Sequence, residues 1–138
     1  MCSSDLMIGI LVVSHSGEAA SGIARVARET SGSKVDVRGV GGNEDGGLGV
    51  PVSSVFDALT EMLGQNDGVL ILPDLGSSVL SSRSAIALLP PEDASRVAIA
   101  NAPVLEGAVL ASVEASIGST LEKVEATAVE ARNLDKTN

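Results

Sequence analysis

The aliphatic run Met7-Ile8-Gly9-Ile10-Leu11-Val12-Val13 ends abruptly at Ser14-His15-Ser16-Gly17, around the chain's only histidine. A run this long, rich in β-branched residues and halted by Ser and Gly, predicts a strand buried on both faces, as in a parallel sheet. Residues 16–30 carry apolar side chains at Ala19, Ile23, Val26 and Ala27, which is helical spacing. Ser16 or Gly17 suits the cap of that helix, and Glu18 falls in its first turn. His15 is therefore expected at a strand-to-helix turn. In open α/β sheets this is the carboxyl edge, where ligands bind and a helix N-terminus offers free N–H groups to an anion.

Composition narrows what such a turn can do. At 138 residues the chain suits one domain with a genuine core. We place that domain at residues 7–132, with 1–6 as a leader or added remnant and 133–138 as a polar tail. Net charge is −9 with nine Lys and Arg, so the clustered cations of a nucleic-acid surface are absent. No apolar stretch approaches the roughly 18–20 residues of a membrane helix, and the N-terminus has no signal-peptide pattern, so a soluble cytoplasmic protein is expected. The single cysteine, Cys2, excludes an internal disulfide and is expected to be a tolerated thiol. Phe56 is the sole aromatic, which removes any stacking platform for bases or sugars.

Further along, Lys34 to Val40 alternates polar and apolar residues, predicting an edge strand with one solvated face. The stretch from Gly41 to Gly49 is too rich in glycine for helix or strand. It reads as a flexible surface loop, or as a loop whose glycines bring backbone N–H groups to a phosphate. From Pro51 a helical stripe of Val52, Val55, Phe56, Leu59, Met62 and Leu63 runs to a Gly64 cap. Gly68 to Asp74 predicts a second buried strand, ending in the hydroxyl-rich turn Asp74-Leu75-Gly76-Ser77-Ser78. A helix over about 78–89 should turn Val79, Ile86 and Leu89 inward before Pro90-Pro91 stops it. Residues 96–100 read as a short strand. A helix with Leu105, Ala108, Val109, Ser112 and Val113 inward follows, then one built on Leu121, Val124, Ala128 and Ala131. Such alternation calls for a three-layer α/β/α sandwich with a mainly parallel central sheet.

Strand ends near residues 14, 74 and 100 would then share one edge, bringing His15 and Asp74 together. An aspartate beside a histidine fixes the tautomer through one ring nitrogen and leaves the other free to attack. Taken alone, Asp74 after Pro73 suits a helix-capping or turn role better. Ser14, Ser16, Gly76, Ser77 and Ser78 add hydroxyls and backbone N–H groups that suit a phosphoryl group. No second histidine completes a serine triad, and one histidine among scattered acids is a poor transition-metal site, so neither metal nor cofactor is expected.

Three stretches carry a resemblance: Val12-Val13-Ser14-His15-Ser16, Asp74-Leu75-Gly76-Ser77-Ser78-Val79-Leu80-Ser81 and Asn101-Ala102-Pro103-Val104-Leu105-Glu106-Gly107-Ala108. In their order and spacing over about 7–131 the chain resembles the phosphotransferase subunits of dihydroxyacetone kinases. These form a branch of the mannose-type enzyme IIA family of the phosphoenolpyruvate-dependent phosphotransferase system. The resemblance implies an α/β homodimer and a phosphotransferase role in glycerol and dihydroxyacetone metabolism. His15 would take a phosphoryl group from the histidine phosphocarrier protein and pass it to ADP on the nucleotide subunit of the kinase. It also implies that Asp74 orients His15 and that the Gly76-Ser77 turn holds the phosphate. One departure is that Gly49-Val50-Pro51 stands where the family commonly has a Gly-Thr pair. Alternatives are the IIA domain of a mannose-type sugar transporter, a tetrapyrrole metal chelatase, which should bring more histidines, and an inactive small-anion binding module.

Overall fold

The computed structural model describes residues 6–137, so Cys2 and all of the expected leader but Leu6 lie outside the described residues. The chain runs β1 (Ile8–Ser14), α1 (Gly17–Ser31), β2 (Val37–Gly41), α2 (Val52–Leu63), β3 (Gly68–Pro73), α3 (Gly76–Ala87), α4 (Pro91–Ala94), β4 (Val97–Ile99), α5 (Val104–Ser116) and α6 (Leu121–Glu130). The four strands form one parallel sheet in the order β2-β1-β3-β4. Helices cover both faces, giving the three-layer α/β/α sandwich.

The aliphatic run is continuous because successive side chains of a strand point to opposite layers. Ile8, Ile10 and Val12 of β1 join Leu70 and Leu72 of β3 beneath α1, α5 and α6. Leu11 and Val13 join Val69 and Ile71 beneath α2 and the far end of α3. After β1 the chain builds outward to β2, then returns across β1 to lay down β3 on the other side. The carboxyl ends of β1 and β3 thus flank the point where strand order reverses, which opens a crevice there.

Several helices turn a different face inward from the one their larger side chains predict. In α1 the buried stripe is Ala20, Ala24 and Ala27, whereas Ala19 and Val26 are exposed and Ile23 is half-buried. In α5 it is Gly107, Ala108, Ala111, Ser112 and Ala115, with Leu105 and Val113 exposed. In α3 it is Ser78, Ser82 and Ala85, with Leu89 buried just beyond and Val79 and Ile86 only half-buried. For α1 and α5 the reason is close approach. A Cβ on Gly39 of β2 would collide with the Ala20 backbone oxygen, and one on Gly107 would lie 2.9 Å from Leu72 Cδ1. Small residues therefore take the contact line, where a larger side chain would overpack it. Pro90-Pro91 does stop α3, but Pro91 also starts the one-turn helix α4, which sequence reasoning left out.

Candidate active site

The site is assembled at the crevice from two strand-to-helix turns. Ser14 closes β1 with its side chain buried, His15 follows, and Ser16 caps α1 by accepting a hydrogen bond from the Ala19 amide at 3.2 Å. On the neighbouring strand the Asp74 amide donates to the Val13 carbonyl at 3.0 Å, extending the parallel ladder by one step. That step brings the Asp74 carboxylate beneath the imidazole.

Five hydrogen bonds converge on Asp74. Its Oδ2 accepts from the Ser14 hydroxyl at 2.8 Å and the His15 amide at 3.1 Å. Its Oδ1 accepts from the Leu75 amide at 2.7 Å, the Ser78 hydroxyl at 2.5 Å and His15 Nδ1 at 3.1 Å. Partial burial works against the ionised form, but the Ser78 and Ser14 hydroxyls and the His15 and Leu75 amides outweigh it. The carboxyl is held well below the usual carboxylate range. An ionised carboxylate only accepts, so Nδ1 must carry the proton, and in the neutral ring Nε2 presents its lone pair. Nε2 faces outward, against the Ser77 hydroxyl. Ser78 also lies 3.2 Å from Nδ1, yet its O–H goes to the nearer, charged oxygen of Asp74.

The candidate residues therefore come together but divide their work. The hydroxyls of Ser14 and Ser78 hold Asp74, and that of Ser16 caps α1. Ser77 alone among these serines turns its hydroxyl to Nε2. Gly17 and Glu18 open α1, while Gly76 and Ser77 open α3. Amides this early in a helix have no intrahelical acceptor, and none of the four finds one in the adjoining turns. Two helix N-termini thus offer N–H groups and the positive ends of their dipoles beside one imidazole.

The glycine-rich stretch has a role that sequence reasoning left undecided. It closes on itself through Gly42 N–H to the Gly49 carbonyl at 2.7 Å and Asn43 N–H to the Gly47 carbonyl at 2.8 Å. The Gly49 amide then donates to the His15 carbonyl at 2.9 Å, so the loop braces the histidine's backbone. Gly41 makes this fit possible, because a Cβ there would run into the Ser14 carbonyl. Its position at the end of β2, opposite Ser14 in register, was the available signal. At the loop's exit, Ser81 of α3 donates to the Val50 carbonyl at 2.8 Å.

Comparison with known proteins bears on this geometry. The family model described as EIIA-man, PTS system fructose IIA component, matches residues 9–125. The phosphoryl donor subunit DhaM of the PEP-dependent dihydroxyacetone kinase of Escherichia coli K12 is 31% identical over 121 residues, which is 86% of this chain and 25% of that protein. The chain spans about a quarter of the length of such relatives. Shorter relatives are matched nearly whole. The donor subunit DhaM of dihydroxyacetone kinase 2 from Listeria innocua is 31% identical over 86% of this chain and 94% of its own length. The PTS-dependent dihydroxyacetone kinase phosphotransferase subunit DhaM of Lactococcus lactis is 33% identical over 85% of this chain and 89% of its own length. Among solved structures, a protein of unknown function superposes with a TM-score of 0.82 at 29% identity, covering 96% of this chain and 98% of its own.

Proposed function

The chain belongs to the EIIA-man family, and on that premise we propose that it is a phosphohistidine carrier serving a dihydroxyacetone kinase. The observation that carries this reading is the imidazole itself. Its Nδ1 proton is pinned to a saturated carboxylate, and its Nε2 lone pair faces outward between two helix N-termini.

Phosphoryl transfer needs positioning and charge stabilisation more than a strong base. In the charging step, Nε2 attacks the phosphorus carried by the histidine phosphocarrier protein. A new N–P bond forms, the donor's N–P bond breaks, and its electron pair returns to the donor ring. The phosphorylated imidazole is then cationic, with its Nδ1 proton still bonded to Asp74, which stabilises that charge. The amides opening α1 and α3, with the Ser77 hydroxyl, receive the phosphoryl oxygens. In the discharge step, a terminal phosphate oxygen of ADP on the kinase's nucleotide subunit attacks, and the electron pair of the broken bond returns to Nε2. No proton is lost or gained by the ring over the cycle.

The names of the matched relatives, all donor or phosphotransferase subunits of dihydroxyacetone kinases, support the kinase as acceptor over a sugar permease. No helix of the described residues is long and apolar enough to cross a membrane, and the reading places the chain in the cytoplasm as a homodimer. The test is intact-mass analysis after incubation with phosphoenolpyruvate, enzyme I and the phosphocarrier protein. Wild type is expected to gain one acid-labile phosphoryl group and His15→Ala none. Absence of the group from wild type, or its presence on His15→Ala, would overturn the assignment.

A further inference from the structure

A second cleft adjoins the histidine site on the far side of the Asp74–Gly76 turn, between α3 and the end of β4. Its volume is about 380 Å³, and its lining includes Asp74, Gly76, Val79, Arg83, Ile99 and Asn101. That volume lies within the range of small-molecule sites. The one acid in the lining, Asp74, already accepts five hydrogen bonds from the protein. What remains free to bind is the guanidinium of Arg83 and the amide of Asn101, donors that offset the Asp74 charge within the cleft.

Arg83 is set apart from the other cations by its place in the cleft. Arg25, Arg38, Arg96 and Lys136 are each paired with a carboxylate, and Arg28 is bonded to the Val37 carbonyl. Arg83 has no carboxylate partner among the described residues, and it is the one cation that lines the cleft beside Asp74. Gly76, Val79 and Arg83 stand at i, i+3 and i+7 on one face of α3, about 10 Å from end to end. Helical side chains lean toward the helix N-terminus, so a guanidinium at 83 reaches back along the cleft toward the Gly76 end, where the phosphohistidine would stand.

We infer that this cleft receives the phosphate chain of the nucleoside diphosphate that discharges His15, with Arg83 and Asn101 binding the inner phosphate while the terminal one faces Nε2. The inference rests on the carrier reading above and adds the acceptor's binding site to it. It also accounts for how a chain of net charge −9 admits an anionic acceptor.

The two steps are measured separately on the full chain. Charging with labelled phosphoenolpyruvate, enzyme I and the phosphocarrier protein, followed by discharge to the ADP-loaded nucleotide subunit, tests the carrier reading in wild type. In Arg83→Gln the concentration of loaded subunit giving half-maximal discharge is expected to rise about 10- to 100-fold, the range for losing a charge-assisted hydrogen bond, relative to charging. Arg83→Lys recovers part of the loss, and Lys123→Gln, on α6, serves as a charge control with both steps at wild-type levels. Equal discharge by wild type and Arg83→Gln, or equal slowing of both steps, would overturn the inference while leaving the carrier reading intact. A titration with inorganic pyrophosphate separates nucleotide phosphate from carboxylates of the partner protein. The Gly76 backbone and Asn101 side-chain amide resonances are expected to shift in wild type and not in Arg83→Gln. Unmoved wild-type resonances at millimolar pyrophosphate would assign the anion to the partner protein and refute the diphosphate site.

Discussion

Replacing Asp74 by Asn tests the centre of the site, because it keeps the shape and removes the charge. An amide has one acceptor oxygen, so its NH2 must meet donors on one side. On the Oδ2 side it meets the Ser14 hydroxyl, which can rotate away, and the His15 amide, which cannot. On the Oδ1 side it would meet His15 Nδ1, the Leu75 amide and the Ser78 hydroxyl. The first orientation is the less costly one, and it leaves the imidazole held by a neutral oxygen. One backbone donor is then unmatched, and the hydrogen bonds that remain lose charge assistance. The expected loss of stability is about 2–4 kcal/mol at neutral pH. The effect on chemistry is separate. At 3.1 Å and an effective dielectric of about 20, a full charge pair is worth about 5 kcal/mol. Both side chains are about one-fifth exposed, which halves that figure through solvent screening. A loss of about 2–3 kcal/mol from the phosphoimidazolium corresponds to charging slowed by about 30- to 150-fold. The assays are urea unfolding and single-turnover charging by the phosphocarrier protein. Charging within about twofold of wild type would refute the role given to the carboxylate, since about 0.4 kcal/mol would then be all it contributes.

Other consequences follow from the same geometry. The Asp74 carboxyl is held well below its ordinary range in the folded chain, so its contribution to stability is full above the ordinary carboxylate pKa of about 4 and is lost as pH falls through the folded value. Wild type is expected to lose stability on acidification more steeply than Asp74→Asn, and parallel urea midpoints against pH would contradict this. Gly41→Ala places a methyl against the Ser14 carbonyl and is expected to cost about 3 kcal/mol, read by thermal unfolding, with weaker charging because His15 shifts with its loop. The Ser112 hydroxyl is buried in α5 without a hydrogen-bond partner among the described residues. Ser112→Ala is therefore expected to stabilise by about 1 kcal/mol, raising the midpoint by about 3 °C in calorimetry.

Much of this protein is written in local sequence. Every strand and every α-helix but the one-turn α4 follows from periodicity and from Ser, Gly and Pro at the boundaries, because those signals act within a few residues. The doubly buried runs at β1 and β3 demand a parallel sheet between helices. Strand ends on one edge then bring His15 to Asp74, 59 residues apart. Which face each helix buries was not legible for α1, α3 and α5. Hydrophobicity ranks Val26, Val79 and Val113 above Ala24, Ser82 and Ala115, but the distance between layers decides: Gly39 of β2 sets it for α1, and the close approach of α5 to Leu72 of β3 is visible at Gly107 only in the folded chain. The same holds for the serines of the site. Four hydroxyls of one type looked interchangeable in sequence, yet Ser14 and Ser78 bind Asp74, Ser16 caps α1 and Ser77 meets Nε2. Hydrogen bonds depend on direction over a few ångströms, and that precision exists only once two strand ends and two helix starts are fixed against each other.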